Sequence, residues 1–164
     1  MMQAESEASP RVFAIMAIAF FAPVAVTFAV APGVWWADYP GILFHLAVFL
    51  LVPRLPAPEW AKAAGCGWLV LDVTTSVLTL NNVPHNVADP FRLGGHIFAG
   101  IWIATASISG SVPIKLFGLI TGLWLFAFSF VSPFVPMTLL APASLSMLVW
   151  LGVIAWQNGS LRRR

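Results

Sequence analysis

Charge is what this chain has least of. Lys, Arg, Asp and Glu together make up 9% of its 164 residues, against about 25% in an ordinary soluble domain. A chain this poor in charge cannot cover a folded surface with groups that water solvates, so a freely soluble globular domain is excluded. Cysteine is nearly missing as well. The single Cys66 rules out an internal disulfide and any CxxC redox or zinc motif. Set among Gly65, Gly67 and Trp68, it reads as a small buried residue. There is no glycine-rich phosphate loop and no nucleophile elbow, so the sequence leans away from an enzyme. The net charge of +2 does not mark a nucleic-acid binder. Its excess comes from Arg162, Arg163 and Arg164 behind an apolar segment, and no basic face exists elsewhere.

What the chain has in abundance is hydrocarbon, with 60% hydrophobic residues. A transmembrane helix needs about 20 mainly apolar residues, and the proline and glycine breaks divide the chain at about that spacing. The expected fold is all-α, a polytopic membrane helix bundle of six transmembrane helices with both termini cytoplasmic. Residues 1–10 form a polar, acidic N-terminal tail (Glu5, Glu7), 11–157 the transmembrane domain, and 158–164 a basic C-terminal tail. The expected spans are 12–31, 35–52, 61–80, 90–109, 114–131 and 133–156. Ala29-Val30-Ala31 fits a signal-peptidase pattern, but the apolar run before it is too long for a signal peptide and lacks a basic leader. Pro23 should kink the first helix and free the carbonyl of Ala19. Pro32-Gly33 ends that helix, and Trp35, Trp36 and Tyr39 then form an interfacial aromatic belt. Asn81 and Asn82 suit the end of the third helix, since asparagine tolerates the left-handed conformation found there. Asp89-Pro90 reads as cap and first residue of the fourth helix. Ser132-Pro133 reads the same way for the sixth, with Pro142 inside that helix and Asn158-Gly159 stopping it.

The basic residues test this topology. Arg11, Arg54, Lys62, Lys115 and the three terminal arginines fall on the cytoplasmic side of a six-span chain. Arg92 alone falls outside, a split of seven to one in the sense the positive-inside rule requires. The expected setting is the inner membrane of a bacterium, as a multi-pass protein.

Ionisable groups at membrane depth are costly and therefore functional candidates. His45 and Asp72 each lie about ten residues into adjacent helices, on the order of 15 Å deep at 1.5 Å per residue. Those helices are joined by a short turn, which makes a His45–Asp72 contact plausible. Ser76 and Thr79 share the face of Asp72 at i+4 and i+7. Such a pair could relay protons or form part of a polar pocket; it could equally do no more than fix helix register. A second group gathers at the outer end within Asn81–Gly100. Asp89, Arg92 and His96 share one face at i, i+3 and i+7, with an expected Asp89–Arg92 ion pair. A metal site from His85, His96 and Asp89 is conceivable, but the spacing matches no metal motif. Haem between His45 and His96 suffers from mismatched depth, because His96 lies only about 8–9 Å from its helix end. No cofactor or metal is expected.

Gly118 and Gly122 form a GxxxG, and Gly95 with Ala99 a small-xxx-small pair, of the kind that lets helices approach within lipid. They serve either packing inside the bundle or contact between copies or subunits. No internal repeat is evident. Two readings of function follow. In one, the protein binds or handles a small molecule or ion at a polar outward site of His45, Asp72, Ser76, Asp89, Arg92 and His96. In the other, it is a non-catalytic subunit docked by its glycine faces in a larger membrane complex.

Overall fold

The computed structural model describes residues 9–31 and 34–160. The Glu5/Glu7 tail, the Pro32-Gly33 break and the Arg162–Arg164 cluster lie outside the described residues. Within them the chain is helical and carries no strand. The helices are α1 (Pro10–Val30), α2 (Asp38–Leu51), α3 (Glu59–Leu80), α4 (His85–Ile108), α5 (Val112–Val131) and α6 (Ala141–Ser160), with short 3-10 turns between some of them. Five stretches are long and apolar enough to cross a membrane: Pro10–Phe28, Trp35–Arg54, Glu59–Leu80, Val112–Phe134 and Met137–Gln157. α4 is as long, at 24 residues, but its first two turns carry His85, Asp89 and Arg92.

Each helix packs against its neighbours in sequence, and α6 returns to pack against α1, so the six form a closed ring. Arg54 at the end of α2 lies over the Phe13 ring at the start of α1, 4.5 Å from its centroid. Ser111 before α5 bonds Gln157 late in α6. These contacts define one end of the ring, which also bears Arg11, Lys62 and Lys115 and is called here the basic end.

Local chemistry accounts for the start of α1 and the end of α3. Ser9 caps α1 by accepting from the Arg11 amide at 3.3 Å. α3 closes as the sequence leads one to expect: Asn82 takes φ 59°, the Val83 amide reaches the Leu78 carbonyl at 3.0 Å, and the Asn82 amide reaches Thr79 at 3.0 Å. That pair of bonds is a Schellman motif.

Three expectations are corrected. α4 starts at His85 rather than Pro90, because Pro84, with extended ψ 141°, accepts from the Val87 and Ala88 amides and opens the helix earlier. Pro90 is then interior, and removes one helical bond near the exposed start of α4. α6 does not run from residue 133. Ser132–Phe134 is only a 3-10 turn, Val135 and Pro136 are extended, and a second turn, Met137–Leu140, precedes the helix. Pro142 thus occupies the first turn of α6, where its missing N–H has no helical partner to lose. The same helix continues to Ser160, past the expected stop at Asn158-Gly159.

The ring has two unlike halves. Toward the basic end it is solid: Ala14, Ala17, Val48, Leu51, Leu69, Ile103, Leu151 and Ile154 are all essentially sealed from solvent. Across the middle runs a chain of rings: Phe21–Phe44 (4.5 Å), Phe44–Trp68 (6.1 Å), Trp68–Trp102 (5.9 Å) and Trp102–Trp150 (5.7 Å). It links α1 to α6 through the interior, at spacings where aromatic pairs attract beyond their burial. The other half of the ring encloses space.

The glycines expected to pack helices do so inside the bundle. At Gly118 a Cβ would fall on Ser107 Oγ and 2.8 Å from Trp150 Nε1; at Gly122 it would lie 2.8 Å from the Gly100 carbonyl. Both are therefore consumed in the contacts of α5 with α4 and α6. Hydroxyls bind the same helices together: Ser129 donates to the Leu93 carbonyl, Ser146 to Phe117, and Trp150 Nε1 to Ser107 Oγ. In hydrocarbon such interhelical bonds replace the hydrophobic force that acts in water.

Candidate functional site

The enclosed space is a cavity of about 560 Å³, within the 300–1,000 Å³ range of small-molecule sites. It opens at the end opposite the basic one, between Val34–Trp35, Asn82–His85 and Met137, and descends to His45, Trp68 and Asp72. Its walls differ. α1, α5, α6 and the turn before α6 present mainly apolar side chains such as Val24, Phe28, Leu125, Leu140 and Met147, with the Thr27 and Ser144 hydroxyls among them; α2, α3 and α4 present Asp38, His45, Asp72, Ser76, Arg92 and His96.

Asp72, the acidic group at the floor of the cavity, is 4% exposed. Its Oδ2 accepts from Trp68 Nε1 at 2.7 Å and lies 3.0 Å from His45 Nε2. The other ring nitrogen of His45, Nδ1, is 2.7 Å from the Gly41 carbonyl. A carbonyl only accepts, so Nδ1 carries a hydrogen. Two lone pairs cannot face each other at 3.0 Å, so one further proton lies on the Nε2···Oδ2 line, whether as imidazolium–carboxylate or as imidazole–carboxylic acid. The two residues form a proton-bearing pair, anchored by Gly41 on one side and Trp68 on the other. Asp72 Oδ1 is buried without a hydrogen-bond partner. It faces Gly95, where an added Cβ would stand only 2.5 Å away. Gly95, expected as a packing residue, is what lets α4 close over the carboxylate.

One turn up α3, Ser76 is 3% exposed and lines the cavity. Thr79, above it, spends its hydroxyl on the Thr75 carbonyl at 3.0 Å. Across on α4, His96 is 9% exposed, lines the cavity and has a buried, unpartnered Nδ1. His45, His96 and Arg92 are all within electrostatic reach of the Asp72 carboxylate.

At the mouth the expected pairing is not found. Arg92 lies 3.5 Å from Asp38 Oδ1, not against Asp89. Asp89 sits instead 3.6 Å from His85 Nδ1 on the exposed first turns of α4 and is not part of the cavity wall. Asp89 and Arg92, though three residues apart, are drawn to different partners because the start of α2 brings Asp38 to the cavity side of α4. His85 is exposed and His96 buried, so the His85/His96/Asp89 metal arrangement does not assemble; among the described residues no three His, Cys, Asp or Glu side chains converge.

The structure thus brings together His45, Asp72, Ser76, Arg92 and His96 around one cavity and leaves Asp89 outside. It adds two residues that sequence reasoning missed. Trp68 sits at i−4 from Asp72, a helical spacing open to being read. Asp38 is the acid in the first turn of α2, at the end of the ring where Arg92 lies. Comparison with protein-family models, with curated proteins and with solved structures finds no match for this chain.

Proposed function

We propose that this is a six-span inner-membrane protein with both termini cytoplasmic, which binds a small molecule entering from the outer face. The observation that carries the reading is the continuous cavity from the Arg92–Asp38 mouth to the buried Asp72. α4 counts as the sixth span because it completes the ring between α3 and α5 and its polar first turns lie at the mouth, where a membrane interface would hydrate them. The basic end then faces the cytoplasm. A helical bundle rather than a barrel is the form that inner-membrane proteins take. The His45–Asp72 pair closes the bottom of the site as a fixed polar floor. Beneath it lie the sealed side chains of Ala17, Val48, Leu51, Leu69 and Ile103, so the site is served from one side. The accessory-subunit reading relies on a free glycine face, and Gly118 and Gly122 are occupied inside the bundle.

Single cysteines in a Cys66→Ala background test this. Ser144→Cys on the cavity wall and His85→Cys at the mouth should react with a membrane-impermeant maleimide added outside intact cells. Ser111→Cys, at the basic end, should react only after the membrane is opened. Labelling of Ser111→Cys from outside would reverse the orientation. An inert Ser144→Cys beside a reactive His85→Cys would mean that the cavity is closed and the proposal wrong.

A further inference from the structure

The chemistry of the cavity wall narrows the kind of molecule it suits, an inference that rests on the small-molecule reading above. Acceptors gather at the mouth, where Asp38 and Asn82 line the cavity; below it donors are free and the acceptors are spent. Ser76 lines the cavity and its Oγ has no hydrogen-bond partner among the described residues; the His96 ring lines it too, with its Nδ1 buried and unpartnered. Arg92 touches Asp38 only at 3.5 Å, well beyond the 2.7–2.9 Å of a charge-assisted hydrogen bond, so most of its five N–H donors have no close partner among the described residues. By contrast, Asp72 Oδ2 is taken by His45 and Trp68, and Oδ1 is shut against Gly95. The hydroxyls of Thr27 and Thr79 are spent on the Pro23 and Thr75 carbonyls. A molecule that passes the mouth therefore meets the unpaired Ser76 hydroxyl and the Arg92 guanidinium on α3 and α4, and on α1 and α6 a mainly apolar wall whose Thr27 and Ser144 hydroxyls are turned to the Pro23 and Leu140 carbonyls.

We propose that the cavity takes an amphipathic carboxylic acid. Its carboxylate sits among Arg92, His96 and Ser76, and its apolar body lies against Val24, Phe28, Leu140 and Met147. Charge agrees with this. His45 and Asp72 share their proton and cancel, which leaves Arg92 as the cation for the head group and Asp38 as the competitor it displaces. Methionine suits the apolar wall because its unbranched side chain adapts to different bodies. The two mouth residues give opposite signs: removing the Arg92 charge weakens an acid, and removing the Asp38 charge strengthens it. A cationic ligand reverses both.

The test uses the full chain carrying Cys66→Ala and Ser144→Cys in lipid nanodiscs, and reads protection of Cys at position 144 from maleimide. The probes are dodecanoate, dodecan-1-ol and dodecyltrimethylammonium, which share a chain and differ in head group. Dodecanoate should half-protect at a concentration about tenfold lower than the ammonium probe. Arg92→Gln should raise that concentration about tenfold, as expected for losing a hydrogen bond to a charged group, while Asp38→Asn should lower it and Arg92→Lys should retain most of it. Dodecan-1-ol should be indifferent to all three. The unliganded labelling rate shows whether each variant keeps its fold, and Asp38→Asn keeps the question open to test if Arg92→Gln does not. Better protection by the ammonium probe, or weaker dodecanoate binding in Asp38→Asn, overturns the acid and leaves the small-molecule reading standing. Protection by none of the three overturns both.

Discussion

Gly95 and Asp72 belong to different helices, and the structure makes each the reason for the other's identity. A Cβ at position 95 would stand 2.5 Å from Asp72 Oδ1 and 3.4 Å from Leu71 Cβ, where ordinary contact begins at 3.4 Å. The overlap is therefore about 0.9 Å on the carboxylate side, and Leu71 blocks escape on the other. Asp72 cannot swing aside cheaply, because His45 and Trp68 both hold its Oδ2. Relief must come from parting α3 and α4, and Gly95→Ala should cost about 1–3 kcal/mol, the usual range for overpacking. Asp72→Ala should cost about 3–5 kcal/mol, since it leaves His45 Nε2 and Trp68 Nε1 buried without their partner. In the double variant the new methyl enters the space the carboxylate vacated. The pair should then cost no more than Asp72→Ala alone, a favourable coupling of about 1–3 kcal/mol. Gly94→Ala is the internal control. Its Cβ meets only Leu71 Cδ1 at 3.6 Å, so it should be neutral or stabilise by up to about 1 kcal/mol. Reversible unfolding in mixed micelles, followed by helical circular dichroism across a titration with dodecyl sulfate, measures all four. Additivity within about 0.5 kcal/mol, or a neutral Gly95→Ala, would refute the argument that Gly95 exists to admit the carboxylate.

The same unfolding assay reaches the rest of the fold. Gly118→Ala places a methyl on Ser107 Oγ and should cost about 1–3 kcal/mol. Adding Ser107→Gly should recover part of the loss, and no recovery would place the clash elsewhere. Trp150→Phe gives up the 2.9 Å bond to Ser107 Oγ. It should cost about 0.5–1.5 kcal/mol for that bond plus the lost indole volume, with Ser107 still held by the Ile103 carbonyl; an unchanged midpoint would argue against the contact. At the end of α3, Asn82 takes φ 59°. Asn82→Ala should therefore cost about 1–2 kcal/mol and Asn82→Gly should be neutral or better, so equal stability of the two would deny the left-handed cap.

How far the sequence carries depends on whether a feature is local. The apolar runs and the breaks between them come through because lipid leaves a chain few alternatives to helices, and Asn81-Asn82 reads as a helix end because its signal lies within one turn. His45 and Asp72 meet for a reason that counting could supply. Both lie near mid-depth on consecutive helices, so antiparallel packing brings their levels together, and the 3.0 Å contact needs only the right rotation. Rotation is what counting cannot provide. Asp89, Arg92 and His96 share a helical stripe by arithmetic, yet the structure buries His96, leaves Asp89 beside His85 at the exposed start of α4, and gives Arg92 to Asp38 on α2. Spacing along one helix fixes angles among its own residues and is silent on which angle faces the bundle. The prolines mislead for a related reason. Pro90, read as opening a helix, lies inside one opened earlier by Pro84, and Pro142, read as interior, falls in the first turn of a helix delayed by Val135 and Pro136. The cavity is less legible still. It follows from the return of α6 to α1, which sets an apolar wall opposite the polar faces of α3 and α4, and no residue on either wall announces the other. Where a membrane protein's polar residues are few, the sequence can name the groups a site will use; whether they face a shared space is decided by how the ring of helices closes.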